Sequence, residues 1–215
     1  WCFVGKRRLE KALAERPDLS VEIHWQPFQL NPDMPEEGMD HREYYLKKFG
    51  GEERVEALTT MMSEAGASEG IEFDFRNIPR SPNTLAAHRL VHWAGPLGLQ
   101  DAVVEALFKA YFQEGRDVGD HSTLIEIGAA AGMDADILTG LYKDGSDVEP
   151  VQTAIGTAQE MGISGVPCFI IDWKFAVQGA QPPEHLLQVI DTALKAAAEA
   201  EEAAKADTEA SAPPA

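Results

Sequence analysis

A change of pattern begins at Gly165-Val166-Pro167-Cys168-Phe169-Ile170-Ile171-Asp172, toward the C-terminal end of the sequence. The apolar run that starts at Pro167 is short, and it predicts a buried strand. A second strand is predicted at Phe175 to Val177, after a turn at Asp172 to Lys174. Proline at the start of a central strand is unusual, because it cannot donate a hydrogen bond to the ladder.

Helices and one more strand are predicted on either side of this strand pair. Residues 2–15 form a helical pattern that ends near Pro17, and residues 20–26 alternate between apolar and polar side chains. The alternation predicts a strand with one buried face, formed by Val21, Ile23 and Trp25. A final helix is predicted after Pro183, with an inward face of Leu186, Ile190, Ala193 and Leu194.

The middle of the chain, residues 38–162, is predicted to be mostly helical. One apolar stripe contains Val104, Leu107, Phe108 and Tyr111, and another contains Val151, Ile155, Ala158 and Met161. Glycines mark the predicted helix ends at Gly132, Gly145 and Gly162. Without this middle part, the order of elements is that of a thioredoxin fold whose first strand would lie before Trp1.

The predicted organisation is therefore an interrupted domain. Residues 1–36 and 163–200 form a thioredoxin-like domain, and residues 37–162 form a helical insertion domain. Residues 201–215 are predicted to be a flexible, acidic, alanine-rich tail that lacks large apolar side chains.

Charge and composition exclude several classes of function. The chain of 215 residues carries 18 Lys and Arg against 36 Asp and Glu, a net charge of −18. This charge opposes nucleic-acid binding, which needs clustered cations. No apolar run approaches the roughly 18 residues that cross a bilayer, so no membrane span is expected. Two cysteines are too few for a disulfide framework and favour a reducing compartment, so we expect a cytoplasmic protein.

Cys2 lies at the start of the first predicted helix, where backbone N–H groups and the helix dipole stabilise a thiolate. With Lys6 and Arg7 one turn later, the position predicts a lowered thiol pKa. The alternative is a buried, inert thiol. Cys168 is interpreted as a buried structural thiol, and a disulfide with Cys2 would require Cα atoms within about 7 Å.

Several segments resemble the FrnE-like branch of the DsbA-like thioredoxin family. The N-terminal segment is similar to the second half of a Cys-Pro-Trp-Cys active site followed by its helix. Four other segments follow in family order. The five segments are Trp1-Cys2-Phe3-Val4-Gly5-Lys6-Arg7-Arg8-Leu9-Glu10, Phe28-Gln29-Leu30-Asn31-Pro32-Asp33-Met34-Pro35, Pro82-Asn83-Thr84 with Ala87-His88-Arg89-Leu90, Gly165-Val166-Pro167, and Gly179-Ala180-Gln181.

The resemblance implies an α/β fold, a thioredoxin domain with a large all-helical insertion between its second and third strands. It implies a nucleophile two residues before Trp1, either Cys or Ser, with Cys2 as the resolving cysteine. It also implies a cis peptide bond at Pro167, facing the start of the Cys2 helix. The Val166 backbone would then pair with a substrate chain.

Other residues enter the predicted site through the same resemblance. Trp1 is expected to contact substrate, and Asn83 and His88 are expected to overlook the active-site cleft from the insertion. A capping role for Asn83 and a partly buried His88 remain the structural alternative. His88 and His92 have the spacing of a zinc pair, but the sequence offers no third ligand, so no metal is predicted.

Three functions are consistent with this sequence. The first is a thiol–disulfide oxidoreductase that acts on protein or small-molecule disulfides and thiols without a cofactor. The second is a glutathione-dependent enzyme similar to 2-hydroxychromene-2-carboxylate isomerases and kappa-class glutathione transferases, with glutathione as co-substrate. Gly179-Ala180-Gln181 departs from the Ser-Asp of that group. The third is a redox-inert binding protein, and a homodimer is left open.

Overall fold

The computed structural model describes the backbone of residues 1–210 and the side chains of residues 1–204. Most of the described chain is helical, with four short strands and one 3-10 turn at Phe75–Asn77. In chain order the elements are α1 (Cys2–Ala14), β1 (Met39–Asp40), α2 (His41–Phe49), α3 (Glu52–Ser68), β2 (Arg80–Ser81), α4 (Leu85–Ala94), α5 (Gln100–Phe112), α6 (His121–Ala130), α7 (Ala135–Lys143), α8 (Val148–Glu160), β3 (Cys168–Ile171), β4 (Phe175–Gln178) and α9 (Pro183–Ala210).

The chain divides into two compact units. The first combines Trp1–Ser20 with the chain from Gly165 onward, and the second is Val21–Ser164. We call them the hairpin unit and the helical unit. The second is inserted between α1 and β3, which confirms the predicted helical insertion. Its N-terminal boundary lies after Ser20, whereas the sequence pattern placed it after residue 36.

The hairpin unit is built on the antiparallel pair β3–β4. Its register places Cys168 opposite Gln178 and Ile171 opposite Phe175, so both strands of the predicted pair are confirmed. The prediction that the first strand is buried is wrong, because no residue of β3 is fully buried and Ile170 is 38% exposed. Helices α1 and α9 contact each other, and α9 contacts both strands. Their shared core contains Ala12, Val177 and Leu186.

The helical unit has its own core around α4. This helix contacts α5, α6 and α8, and α6 contacts α7. Leu90, Val103 and Leu124 are fully buried there. Of the two predicted apolar stripes, Val104, Leu107, Val151 and Ile155 are buried, whereas Met161 is 62% exposed. The only strands among its described residues are β1 and β2, two residues each, which pair antiparallel.

The predicted strand at residues 20–26 is wrong, because the structure has no strand between α1 and β1. Val21 and Ile23 are 48% and 40% exposed, so the expected buried face does not form there. Trp25 is held differently. The side-chain amide of Gln100 accepts from the Trp25 N–H at 3.0 Å and donates to its carbonyl oxygen at 3.3 Å. A side chain thus satisfies this backbone in place of a neighbouring strand.

Helix α9 extends beyond the predicted end of the folded domain. Residues 201–210 of the predicted tail continue this helix, and residues 211–215 lie outside the described residues. Across the described part of the chain, no helix combines the length and apolarity needed to cross a membrane.

Candidate functional site

Cys2 is the first residue of helix α1, as predicted. The thiol is half-buried and free, and its burial raises its pKa above the ordinary value. The prediction of a lowered pKa is therefore wrong. Burial disfavours the charged thiolate, and this effect outweighs the favourable field at the helix start.

The basic side chains of α1 also differ from the prediction. Lys6 is 4% exposed and pairs with Glu10, and the guanidinium of Arg7 reaches the same carboxylate at 2.9 Å. Glu10 therefore compensates part of the positive potential that was expected to act on Cys2.

Helix α1 approaches the start of β3 at a glycine. A Cβ atom on Gly5 would lie 2.8 Å from Cγ of Pro167 and 3.2 Å from Cζ of Phe169. The Val166–Pro167 peptide bond is cis, the geometry that the resemblance implies. Pro167 therefore lies against the helix that begins with Cys2. Val166 is half-buried, and Trp1 is exposed.

We expect Gly5→Ala to lower the free energy of unfolding by about 1–3 kcal/mol, the usual effect of overpacking. The added methyl would overlap the rigid ring of Pro167. Gly156→Ala in α8 is the matched control, because no heavy atom lies within 4 Å of its added Cβ. Alanine is favoured over glycine in a helix by about 1 kcal/mol, so the control should be neutral or stabilising. Urea denaturation measures both. Equal effects of the two variants would contradict the close packing at Pro167.

Cys168 faces away from the core of the hairpin unit. Its neighbour Phe169 packs against that core, and successive side chains of a strand alternate between faces. The Cys168 thiol is free and half-buried, not fully buried as predicted, and its partial burial raises its pKa. The Cys2–Cys168 disulfide is therefore not formed.

Asn83 and His88 hold the segment before β1 within the helical unit. The Asn83 side chain accepts from Nε2 of Gln29 at 2.9 Å and donates to the Met34 carbonyl at 2.7 Å. It also accepts from the Leu85 N–H at 3.0 Å, but the N-cap of α4 is Thr84, so Asn83 is not the cap that the sequence predicted. Nε2 of His88 donates to the Phe28 carbonyl oxygen at 3.0 Å. Their contact with substrate stays a prediction.

The His88 contact makes stability depend on pH. Burial lowers the pKa of His88 to about 4, below the ordinary imidazole value of about 6.5. The unfolded chain therefore binds this proton at higher pH than the folded chain. The contribution of neutral His88 to the free energy of unfolding is fully present above about pH 6.5. It falls by up to roughly 3 kcal/mol as the pH drops to 4.

Denaturation at pH 7 and pH 5 checks this expectation against His88→Gln. The glutamine amide can donate to the same carbonyl and does not titrate in this range. The difference in stability between the native protein and the variant should shrink or reverse at pH 5. A difference that is independent of pH would contradict the lowered pKa.

The sequence patterns did not identify three residues around Pro167. All three, Gly5, Arg8 and Gly179, belong to the family segments, but their sequence does not show their contacts with Pro167, although glycine inside a helix often marks a close approach. Arg8 and Gly179 make hydrogen bonds near Pro167 that depend on tertiary structure. No group of three or more His, Cys, Asp or Glu side chains among the described residues could hold a metal ion.

Comparison with known proteins places this geometry in a family. The DsbA-like thioredoxin domain family matches residues 1–191. The uncharacterized protein YwbO of Bacillus subtilis is 26% identical over 172 residues, which cover 80% of each chain.

Two solved structures show the same fold. The first, described as a probable DsbA oxidoreductase of Streptomyces coelicolor, has a TM-score of 0.83 and 30% identity, with 91% of this chain and 85% of that chain covered. A 2-hydroxychromene-2-carboxylate isomerase has a TM-score of 0.66 and 15% identity over 94% of this chain and 92% of its own. The chain, which carries Cys2 and cis-Pro167 in the same compact unit, belongs to the DsbA-like thioredoxin domain family.

Proposed function

We propose that the protein is a thiol–disulfide oxidoreductase in which Cys2 is the resolving cysteine. The observation that carries the proposal is the packing of the Cys2 helix against cis-Pro167 through Gly5. The helix that begins with Cys2 and the Val166–Pro167 segment before β3 lie in the same compact unit. The similarity to the Streptomyces protein, described as a probable DsbA oxidoreductase, supports this choice.

The raised pKa of Cys2 fits the resolving role. A resolving thiol reacts only with the mixed disulfide that has already formed beside it, so it does not need to be a thiolate at rest. The attacking thiol must instead be accessible and acidic. We assign that role to a cysteine two residues before Trp1, the position that the family resemblance gives it.

The proposed exchange has two steps. The attacking thiolate displaces one sulfur of a substrate disulfide, which leaves as a thiolate, and a mixed disulfide forms. The Cys2 thiolate then attacks the protein sulfur of that bond, and the second substrate sulfur leaves. Two electrons pass from the protein dithiol to the substrate, and an external dithiol restores the reduced protein.

The loop after β4 gives the glutathione-dependent alternative less support. Two groups there already have partners, since the Gly179 N–H donates to the Pro167 carbonyl and Nε2 of Gln181 donates to the Gln178 carbonyl. A glutathione site at this loop would have to compete with these internal contacts.

Reduction of insulin by dithiothreitol tests the proposal with protein expressed from its natural start codon. The protein should accelerate the reaction without glutathione. Acceleration that needs glutathione would support the alternative enzyme class, and no acceleration under either condition would contradict the proposed function.

A further inference from the structure

The β3–β4 ladder ends in an incomplete pair at Pro167. The register places Cys168 opposite Gln178, so the next pair is Pro167 with Gly179. The Gly179 N–H donates to the Pro167 carbonyl at 2.8 Å. Proline has no N–H to return a bond, and the Gly179 carbonyl accepts instead from the Gln181 N–H at 2.9 Å.

The chain leaves the sheet at this point and meets α1. Gly179 has a φ of +80°, a conformation that glycine adopts without strain. The next carbonyl, that of Ala180, accepts from the guanidinium Nη1 of Arg8. Helix α1 is thereby tied to the end of β4, one residue from the hydrogen bond that holds Pro167.

These contacts hold Pro167 from two sides, through its ring and through its carbonyl. Gly5 and Arg8 are three residues apart on α1, so they lie on neighbouring positions of one helix face. Gly5 packs on the Pro167 ring, and Arg8 binds the residue after Gly179. The proline ring and the proline carbonyl are therefore both fixed with respect to the helix that begins with Cys2.

We propose that Arg8 and Gly179 are positioning residues that fix the Val166–Pro167 segment against the Cys2 helix. The inference rests on the proposed function, in which this segment receives the backbone of a protein disulfide. Neither residue needs to contact substrate. They act by fixing the position of Pro167. A misplacement of about 1 Å in an active site can lower activity by about 10²-fold.

The first experiment measures KM and kcat for insulin in Arg8→Ala, Arg8→Lys, Gly179→Ala and Gly179→Asn. The two alanine variants should raise KM by roughly tenfold or more, because substrate placement is disturbed. Lysine can still donate one hydrogen bond to the Ala180 carbonyl, and asparagine tolerates a positive φ, so both should recover most of the loss.

Gly162→Ala is the matched control for backbone strain. Gly162 has a φ of +83°, and its added Cβ would meet no heavy atom within 4 Å. It follows α8, in the helical unit. Its loss of stability should match that of Gly179→Ala, while its KM should be unchanged. Equal KM values for the two variants would overturn the proposal.

A second measurement does not depend on activity. The Gly179 amide should be protected from hydrogen exchange by the Pro167 carbonyl, and Arg8→Ala should reduce that protection at least about tenfold. Arg8→Lys should restore it. Unchanged protection in Arg8→Ala would overturn the positioning role. Loss of protection together with an inactive native protein would reject the proposed function and leave the positioning role supported.

Discussion

Replacement of Cys2 by serine should lower the steady-state turnover of insulin disulfides by at least about a hundredfold. A serine hydroxyl at the start of α1 cannot attack the mixed disulfide and release the substrate. The first step should still occur, so the variant should accumulate a covalent complex with its substrate. Mass spectrometry under non-reducing conditions detects that complex, and dithiothreitol should reduce its disulfide and separate the two proteins.

Cys168→Ser is the matched control for the Cys2 variant. Both thiols are free and half-buried, but Cys168 faces away from the core that α1 shares with β4 and α9. Its replacement should leave turnover within about twofold of the native value. Turnover lost in Cys168→Ser, or retained in Cys2→Ser, would remove Cys2 from the proposed resolving role.

The pH dependence of resolution follows from the raised pKa of Cys2. Only the thiolate attacks the mixed disulfide, and burial keeps the thiol protonated at neutral pH. The rate of resolution should therefore rise by about tenfold for each pH unit until the pKa is reached. A resolution rate that does not change with pH above 7 would show that deprotonation of the Cys2 thiol does not limit this step.

The hairpin unit was predicted from sequence because its signals are local. The short apolar run after Pro167 and the turn at Lys174 specify β3 and β4 without reference to distant residues. The ends of three helices were also predicted from a local signal, a glycine just after the helix. Gly132, Gly145 and Gly162 all have positive φ values there.

The segment at residues 20–26 was mispredicted because alternation specifies a strand only where a partner supplies the ladder. Val21 and Ile23 fit the pattern, yet no described strand pairs with them. The Cys2 pKa was mispredicted for a related reason. The position at a helix start is visible in sequence, whereas burial of the thiol depends on tertiary packing.

Arg89 shows what residue type alone cannot specify in the helical unit. Arg89 belongs to a family segment that predicts no role for it, and an arginine is seldom buried without partners. In the structure it is 4% exposed, and its guanidinium lies 4.9 Å from the Trp93 ring centroid. Nε donates to the Ser146 carbonyl at 2.7 Å, and Nη2 donates to the Leu141 carbonyl at 2.8 Å.

Arg89→Met should therefore lower the free energy of unfolding by about 3–5 kcal/mol. Methionine fills the apolar space beside Trp93, but it removes the Arg89 donor from the Ser146 carbonyl. The Leu141 carbonyl in α7 then keeps only the Ser146 N–H, at 3.1 Å. The guanidinium also compensates the negative end of that helix dipole. Arg89→Lys should recover only part of the loss, because one ammonium group does not reproduce the guanidinium fork.

Urea denaturation followed by far-UV circular dichroism measures this change, since most of the helix lies in the helical unit. Arg76→Met is the control, because Arg76 is exposed in the 3-10 turn and its replacement should change stability by at most about 0.5 kcal/mol. A loss below about 1 kcal/mol in Arg89→Met would show that water replaces the Arg89 donor at the Ser146 carbonyl and that the Ser146 N–H suffices for the Leu141 carbonyl. The end of α7 would then not depend on Arg89, and the core around α4 would tolerate its removal.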